Sequence, residues 1–203
     1  MPPKAVALQR LYQQRLSHGL VATPEEVVGW LGAVQSQDYP GAKWSLGLRM
    51  GGADEAKDDA IERAFTQGTI LRTHVMRPTW HFVPAADIRW MLELTAPRLK
   101  RQLTHRSREL ELDDHQYARS NEAIAKALRG GHFLTRPELG AALAEAGIPA
   151  ADGSRLAHIV MHAELDMVIC SGPRRGKQFT YALLDERAPH ARSLPREEAL
   201  ARL

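Results

Sequence analysis

Apolar residues recur at helical spacing from the first residues of this chain. Val6, Leu8, Leu11, Tyr12 and Leu16 fall among arginines and glutamines, predicting an amphipathic helix over residues 4–18 that Gly19 interrupts. Thr23, Pro24 and Glu26 then supply an N-cap, a first-turn proline and a capping-box acid ahead of Val27, Val28, Trp30 and Leu31. A second helix is therefore expected from 24 to about 34. Beyond a loop containing Pro40, Gly51 and Gly52, a third helix over 54–67 buries Ala60, Ile61, Ala64 and Phe65 and ends at Gly68. The period then changes. Residues 70–76 and 80–83 are rich in β-branched and aromatic side chains, and Arg77-Pro78-Thr79 between them predicts a hairpin turn. Three helices and a hairpin make a winged helix.

The order repeats. Asp113 or Asp114 caps a helix that runs to Leu128 and stops at Gly130-Gly131, and Thr135 with Glu138 forms a capping box for residues 136–146. Residues 154–164 place Leu156, Ile159, Val160 and Ala163 on one buried face. A second hairpin joins 167–170 to 178–184 through Gly172-Pro173-Arg174-Arg175-Gly176-Lys177. Between the units, Ile88, Leu92, Thr95, Leu99 and Leu103 form a helical stripe that Pro97 kinks or restarts. The expected fold is mainly α with small β-hairpins (α+β), with tandem winged-helix domains joined by a linker helix. Its divisions are a first winged helix at 4–84, a basic linker helix at 85–112 and a second winged helix at 113–186. Residues 187–203, where Ser193 and Pro195 start one more short helix, are expected to be a linker and the beginning of a further domain.

Composition and charge narrow the class. With 44% hydrophobic and 25% charged residues over 203 positions, the profile is that of an ordinary folded protein. No run of eighteen apolar residues predicts a membrane span and no signal-peptide core is present, so the expectation is a cytoplasmic protein. Cys170, the single cysteine, excludes an internal disulfide and a thiolate-rich zinc site. The net charge of +3 decides little, but its distribution is uneven. Arg98, Arg101, His105 and Arg108 recur on one helical face, in a segment with no acid. Arg174, Arg175 and Lys177 gather at the second hairpin tip, and Arg155, His158 and His162 share the face opposite the core of the 154–164 helix. Phosphate or groove contact is the functional reading of these groups, a solvated face the bland one. Asp54, Glu55, Asp58, Asp59 and Glu62 crowd the third helix of the first unit, which phosphates would repel; it cannot be a conventional recognition helix.

His158 and His162 have the spacing of paired zinc ligands, but Ile159 stands where a zinc protease has glutamate and no third ligand is evident. Trp30, Trp44, Trp80 and Trp90 read as core residues in preference to base-stacking platforms, Trp44 least clearly because it lies in the loop after the glutamine segment. No phosphate-cradling glycine loop is present, which disfavours nucleotide hydrolysis.

The most distinctive segment is Ala33-Val34-Gln35-Ser36-Gln37-Asp38-Tyr39-Pro40-Gly41. In extended chain, residues two apart project to one side, and Pro40 biases Tyr39 away from helix, so Gln35 and Gln37 can converge on a pocket and hold a water. The same spacing also suits two amides that cap a helix end or face solvent. Asp38 alternates to the other side; it is the rival candidate, as a base, or else a cap or salt-bridge residue. Lys43 could in principle form a Schiff base.

Taken with Arg72, Thr73, Met76, Arg77, Thr79 and His81 of the first hairpin, Gln35 and Gln37 resemble the winged-helix DNA glycosylases of the AlkZ and YcaQ type. In that family a Gln-x-Gln or Gln-x-Asp tripeptide follows the second helix, and a strand pair carries Arg-Thr, Met-Arg and Thr-x-His. Ser36 departs from the common aliphatic middle residue, and Pro78 from the common turn glycine. The resemblance implies a monofunctional glycosylase acting in DNA repair. Gln35 and Gln37 would position the water that cleaves the N-glycosidic bond of N7- or N3-alkylated purines or of crosslinked nucleotides. It implies no metal and no cofactor. Arg72, His74, Arg77 and His81 would join Arg98, Arg101, Arg108, Arg155, His158, His162, Arg174, Arg175 and Lys177 in contacting DNA. The expected partners are double-stranded DNA with a damaged base and a C-terminal third winged helix of the same protein, with no membrane and a place at the nucleoid. The alternative is a noncatalytic winged-helix DNA-binding protein or transcription regulator.

Overall fold

Helix-start chemistry sets the frame. Thr23 accepts a hydrogen bond from the Glu26 N–H while the Glu26 carboxylate accepts from Thr23, and this reciprocal cap opens α2 at Pro24–Leu31. Thr135 and Glu138 do the same for α7, Arg136–Glu145. The computed structural model describes residues 3–17, 20–149 and 153–203, without the side chains of Pro3, Glu55 and Ala56; Gly19 and the Glu55 carboxylate therefore lie outside the described residues.

The helix α1, Pro3–Gln13, is shorter than its apolar pattern suggested, and much of its apolar face is exposed. Trp30 pins its end by donating from Nε1 to the Gln13 carbonyl at 3.1 Å. After α2, a two-residue strand β1 (Val34–Gln35) leads to a helix that the sequence reading treated as loop. This is α3, Tyr39–Gly47, and the acidic α4, Asp54–Gln67, follows it. Pro40 opens α3 instead of a turn because a first-turn proline loses no helical hydrogen bond. The strands β2 (Ile70–His74) and β3 (Trp80–Pro84) complete an antiparallel sheet of order β1-β3-β2. The first unit thus uses α2, α3 and α4 as its three helices, with α1 as an addition.

Ile88–Glu109 is one helix, α5, running through Pro97 without a restart. The second unit then repeats the first element for element. It comprises α6 (Asp114–Leu128), capped by Asp113, then β4 (Leu134–Thr135), α7, α8 (Gly153–Leu165), β5 (Ile169–Ser171) and β6 (Thr180–Leu183), with sheet order β4-β6-β5. A short α9 (Leu184–Arg187) and α10 (Arg196–Arg202) follow; the chain between them returns to the start of α5, where the Trp90 N–H donates to the Arg192 carbonyl at 3.1 Å.

Each unit buries its own core, around Phe65, Phe82 and Leu46 in the first and Ile124, Leu143 and Ile159 in the second. A third cluster belongs to both, joining Leu71, Val75 and Val83 to Trp90, Leu92 and Leu99 of α5 and to Leu165, Cys170 and Leu184. Cys170 is fully buried there, and burial raises its thiol pKa well above the usual value. Among the described residues no helix is long and apolar enough to cross a membrane.

Candidate functional site

Three residues, Ser36, Gln37 and Asp38, separate β1 from α3. The Ser36 N–H still donates to the Trp80 carbonyl at 2.7 Å, so the strand pairing extends one residue beyond β1 and turns Gln35 and Gln37 outward. Ser36 itself is completely buried, and its hydroxyl finds no partner among the described residues. Gln35 donates from Nε2 to Thr79 Oγ1 at 3.4 Å, and the Trp80 N–H approaches Gln37 Oε1 at 3.5 Å. Both amides are therefore tied to the first wing, and both line one open depression of about 430 Å³ with Asp38, Gly41, Ala42 and Ser45. Asp38 does not alternate away as extended chain would require. The chain enters α3 at this point, and the Asp38 carboxylate caps the helix by accepting from the Gly41 N–H at 3.2 Å.

Tyr39 anchors the exit from this loop. Its ring meets Phe65, Phe82 and Phe179 edge-on, and its hydroxyl donates to Glu62 at 3.1 Å; burial, reinforced by Glu62, raises its pKa. From beneath, Arg72 donates to the Ser36 carbonyl from Nε at 3.2 Å and from Nη2 at 3.1 Å. Burial lowers its pKa to about 10, which leaves the guanidinium charged at neutral pH. Two exposed amides and a carboxylate on a loop anchored by buried Ser36 and Tyr39 and supported by Arg72 can bind and orient a water beside a cationic centre.

Residues 28–203 match the family described as DNA glycosylase AlkZ-like. The chain belongs to this AlkZ-like family of DNA glycosylases. Its fold is similar to that of the Streptomyces sahachiroi DNA glycosylase AlkZ, with a TM-score of 0.73 at 22% sequence identity over 94% of this chain. The chain spans 52% of that protein's length. Among curated protein sequences, none matches.

In this AlkZ-like chain the surface residues expected to meet DNA divide sharply. Arg77, Arg98, Arg101, Arg108, Arg175 and Lys177 are exposed. Arg98 and Arg101 share a crevice with Met76 of the first wing, which places the α5 stripe next to the hairpin carrying the glutamine contacts. Arg175 is tied to Glu138 at 2.6 Å. The others are corrected. Arg72, His74 and His81 lie inside the first sheet, His74 paired with Glu164 and His81 bonded through Nδ1 to the Thr79 carbonyl at 2.8 Å. Burial lowers the His81 pKa, with the Thr79 carbonyl opposing.

His158 and His162 are also buried, because the face of α8 opposite its aliphatic core packs on α5 and α6. The His162 ring stacks on Tyr117 at 3.7 Å. Arg155 is engaged by the carbonyls of Pro149 and Leu110, and Arg174 by Glu62 at 3.0 Å. Lys43 is held between Asp58 and Glu62 at 2.7 Å each; burial works against its charge, but the two carboxylates outweigh it and raise its pKa.

Sequence reasoning marked Thr79 as part of the family pattern without its contact to Gln35, and missed Phe179 as a support of the loop. It also favoured the core for Trp30 and Trp44, although both are exposed, Trp44 at 69% on α3 in a separate hollow with Leu20, Lys43 and Met50. Trp44 would have been legible as a surface residue had α3 been recognised, since it lies off the face carrying Ala42 and Leu46.

Proposed function

We propose that this protein is a repair enzyme that hydrolyses the N-glycosidic bond of an alkylated purine or crosslinked nucleotide in duplex DNA. The observation that carries the reading is the pair of glutamines lining one depression, each tied to the same wing. A purine alkylated at N7 or N3 is already a cationic leaving group, so the enzyme need not protonate it. What remains is to aim a water at the anomeric carbon and to stabilise an oxocarbenium-like sugar. The Gln35 Nε2 is spent on Thr79, which leaves its oxygen to accept from the water; the Gln37 amide lies next to it. Their oriented dipoles supply negative potential without a charge that would hold the substrate too well in its ground state.

Duplex DNA would lie along Arg77, Arg98, Arg101 and Arg108. The third helices of both units are poorly suited to reading a groove, α4 because it is acidic and α8 because its histidine face is covered. This supports an enzyme using winged helices as a scaffold over a sequence-reading regulator.

The test is release of an N7-alkylated purine from duplex DNA. Gln37→Ala is expected to lower the rate about a hundredfold while DNA binding persists, with a comparable loss for Gln35→Ala. Activity that survives both changes and collapses in Asp38→Ala would move the catalytic role to the carboxylate. A protein that binds DNA but releases no base from N3-alkylated, N7-alkylated or crosslinked substrates would overturn the reading. Replacing Arg98, Arg101 and Arg108 by glutamine should reduce the salt slope of DNA binding by roughly one unit per lost phosphate contact.

A further inference from the structure

We propose that the second winged unit holds the glutamine pair of the first in its working geometry, acting through Arg72; this rests on the glycosylase reading above. Arg72 is 6% exposed, and no carboxylate pairs with it among the described residues. Its two donated hydrogen bonds converge on the Ser36 carbonyl, the peptide oxygen between Gln35 and Gln37. A rigid planar fork on that oxygen restrains the tilt of the peptide, and with it the angle between the two side chains.

The guanidinium lies against two rings, with Trp80 at 4.2 Å and Phe179 at 4.4 Å from its central carbon. Trp80 belongs to the first unit and reaches Gln37 through its N–H. Phe179 belongs to the second, one residue before β6. Three more holds cross the same boundary. Ser171 Oγ accepts from the Arg72 N–H at 2.8 Å, the Arg136 guanidinium sits 5.6 Å from the Trp80 ring, and Glu164 pairs with His74, whose ring packs on Trp80 at 4.5 Å. The second unit thus grips Arg72 by backbone and side chain, and grips the ring beside it. In this arrangement Arg72 and Phe179 are positioning residues that touch neither water nor sugar.

The variants are Arg72→Lys, which keeps the charge and loses the fork; Phe179→Leu, which keeps apolar bulk and loses the ring face; and Phe179→Tyr, which restores the face. Arg187→Ala serves as the control, since Arg187 also joins the units, through the Phe65 and Thr66 carbonyls, away from the glutamines. Single-turnover base release is expected to fall about tenfold or more in Arg72→Lys and Phe179→Leu, with Kd for DNA within about twofold, and to recover in Phe179→Tyr. Arg187→Ala should lower the melting temperature and leave the rate intact. Wild-type rates in the first two variants, or an equal rate loss in Arg187→Ala, would overturn the proposal.

Amide hydrogen exchange over residues 35–38 measures the hold without reference to activity. It should accelerate in Arg72→Lys and Phe179→Leu and not in Arg187→Ala. Unchanged exchange defeats the positioning role even if base release falls in these variants, whereas a wild-type protein with protected amides and no base release defeats the glycosylase reading instead.

Discussion

The two units share an element order and a sheet order, yet they treat the junction between first strand and second helix differently. In the second unit Thr135 ends β4 and itself caps α7, with no residue between. In the first, Ser36, Gln37 and Asp38 intervene before Tyr39, and the cap passes to Asp38. Both helices use the same start chemistry of a capping oxygen and a first-turn proline, so the extra residues are not needed to begin a helix. They carry the chain past the strand so that Gln37 joins Gln35, the last residue of β1, over one depression. The hairpins diverge in the opposite sense. The first is short and stays beside its own glutamines, while the second reaches back to the first unit, where Arg174 meets Glu62 and Phe179 joins the core around Phe65. On the proposed reading, one copy of the motif carries the chemistry and the other braces it.

The sharpest way to break this division is at Glu164, 1% exposed and paired with His74 across the boundary. Glu164→Ala removes one partner of a buried pair and should cost about 3 kcal/mol in urea denaturation. A loss under about 1 kcal/mol would mean that the units are held by their other contacts, the shared apolar cluster and the Ser171, Phe179 and Arg174 holds, and not by this pair.

Acid should weaken the brace next. Burial, followed by the charge of His158, lowers the His162 pKa to about 4, with Asp166 opposing and Lys100 assisting; His158 is also lowered, by burial and then Arg106. A histidine whose folded pKa lies below its unfolded value of about 6.5 takes up its proton first in the unfolded chain. Its stabilising contribution is therefore complete above pH 6.5 and is lost as the pH falls towards 4. For His162 the loss from pH 7 to pH 5 is about 2 kcal/mol, readable as a falling urea midpoint that His162→Phe should flatten.

The smallest effect separates the two caps. Thr135→Ala and Asp38→Ala should each cost about 1 kcal/mol of stability. Only the Asp38 variant sits at the depression, so Thr135→Ala should leave base release untouched. A rate loss in Thr135→Ala would show that the second unit's helix starts are not confined to bracing.

Local rules read much of this molecule correctly. Thr23-Pro24-Glu26 and Thr135-Glu138 declare their helices within four residues, and the change of period at Ile70 declares a strand. The same grammar is present at Asp38-Tyr39-Pro40, but two rules compete there: a residue before proline avoids helix, and a cap followed by a first-turn proline starts one; the second governs, and it sets both α3 and the exposure of Trp44. Periodicity also misjudged α8, because His158 and His162 are polar by type and lie inside by packing. Nothing local foretells that Arg72 rests against Phe179 or that Arg174 finds Glu62, since those pairs meet only when the two units dock. The convergence of the two glutamines on one depression is legible in their spacing; the apparatus holding them is not.

The lone thiol offers a gauge of that docking. Cys170 sits in the cluster where β2, α5 and β5 meet, sealed from solvent and held far from its thiolate form. An alkylating reagent can reach it only when the two halves part, because thiolate chemistry needs both access and deprotonation. With no second cysteine to confuse the signal, labelling becomes a clock that counts separations of the brace from the site, in the unaltered protein and without an introduced probe.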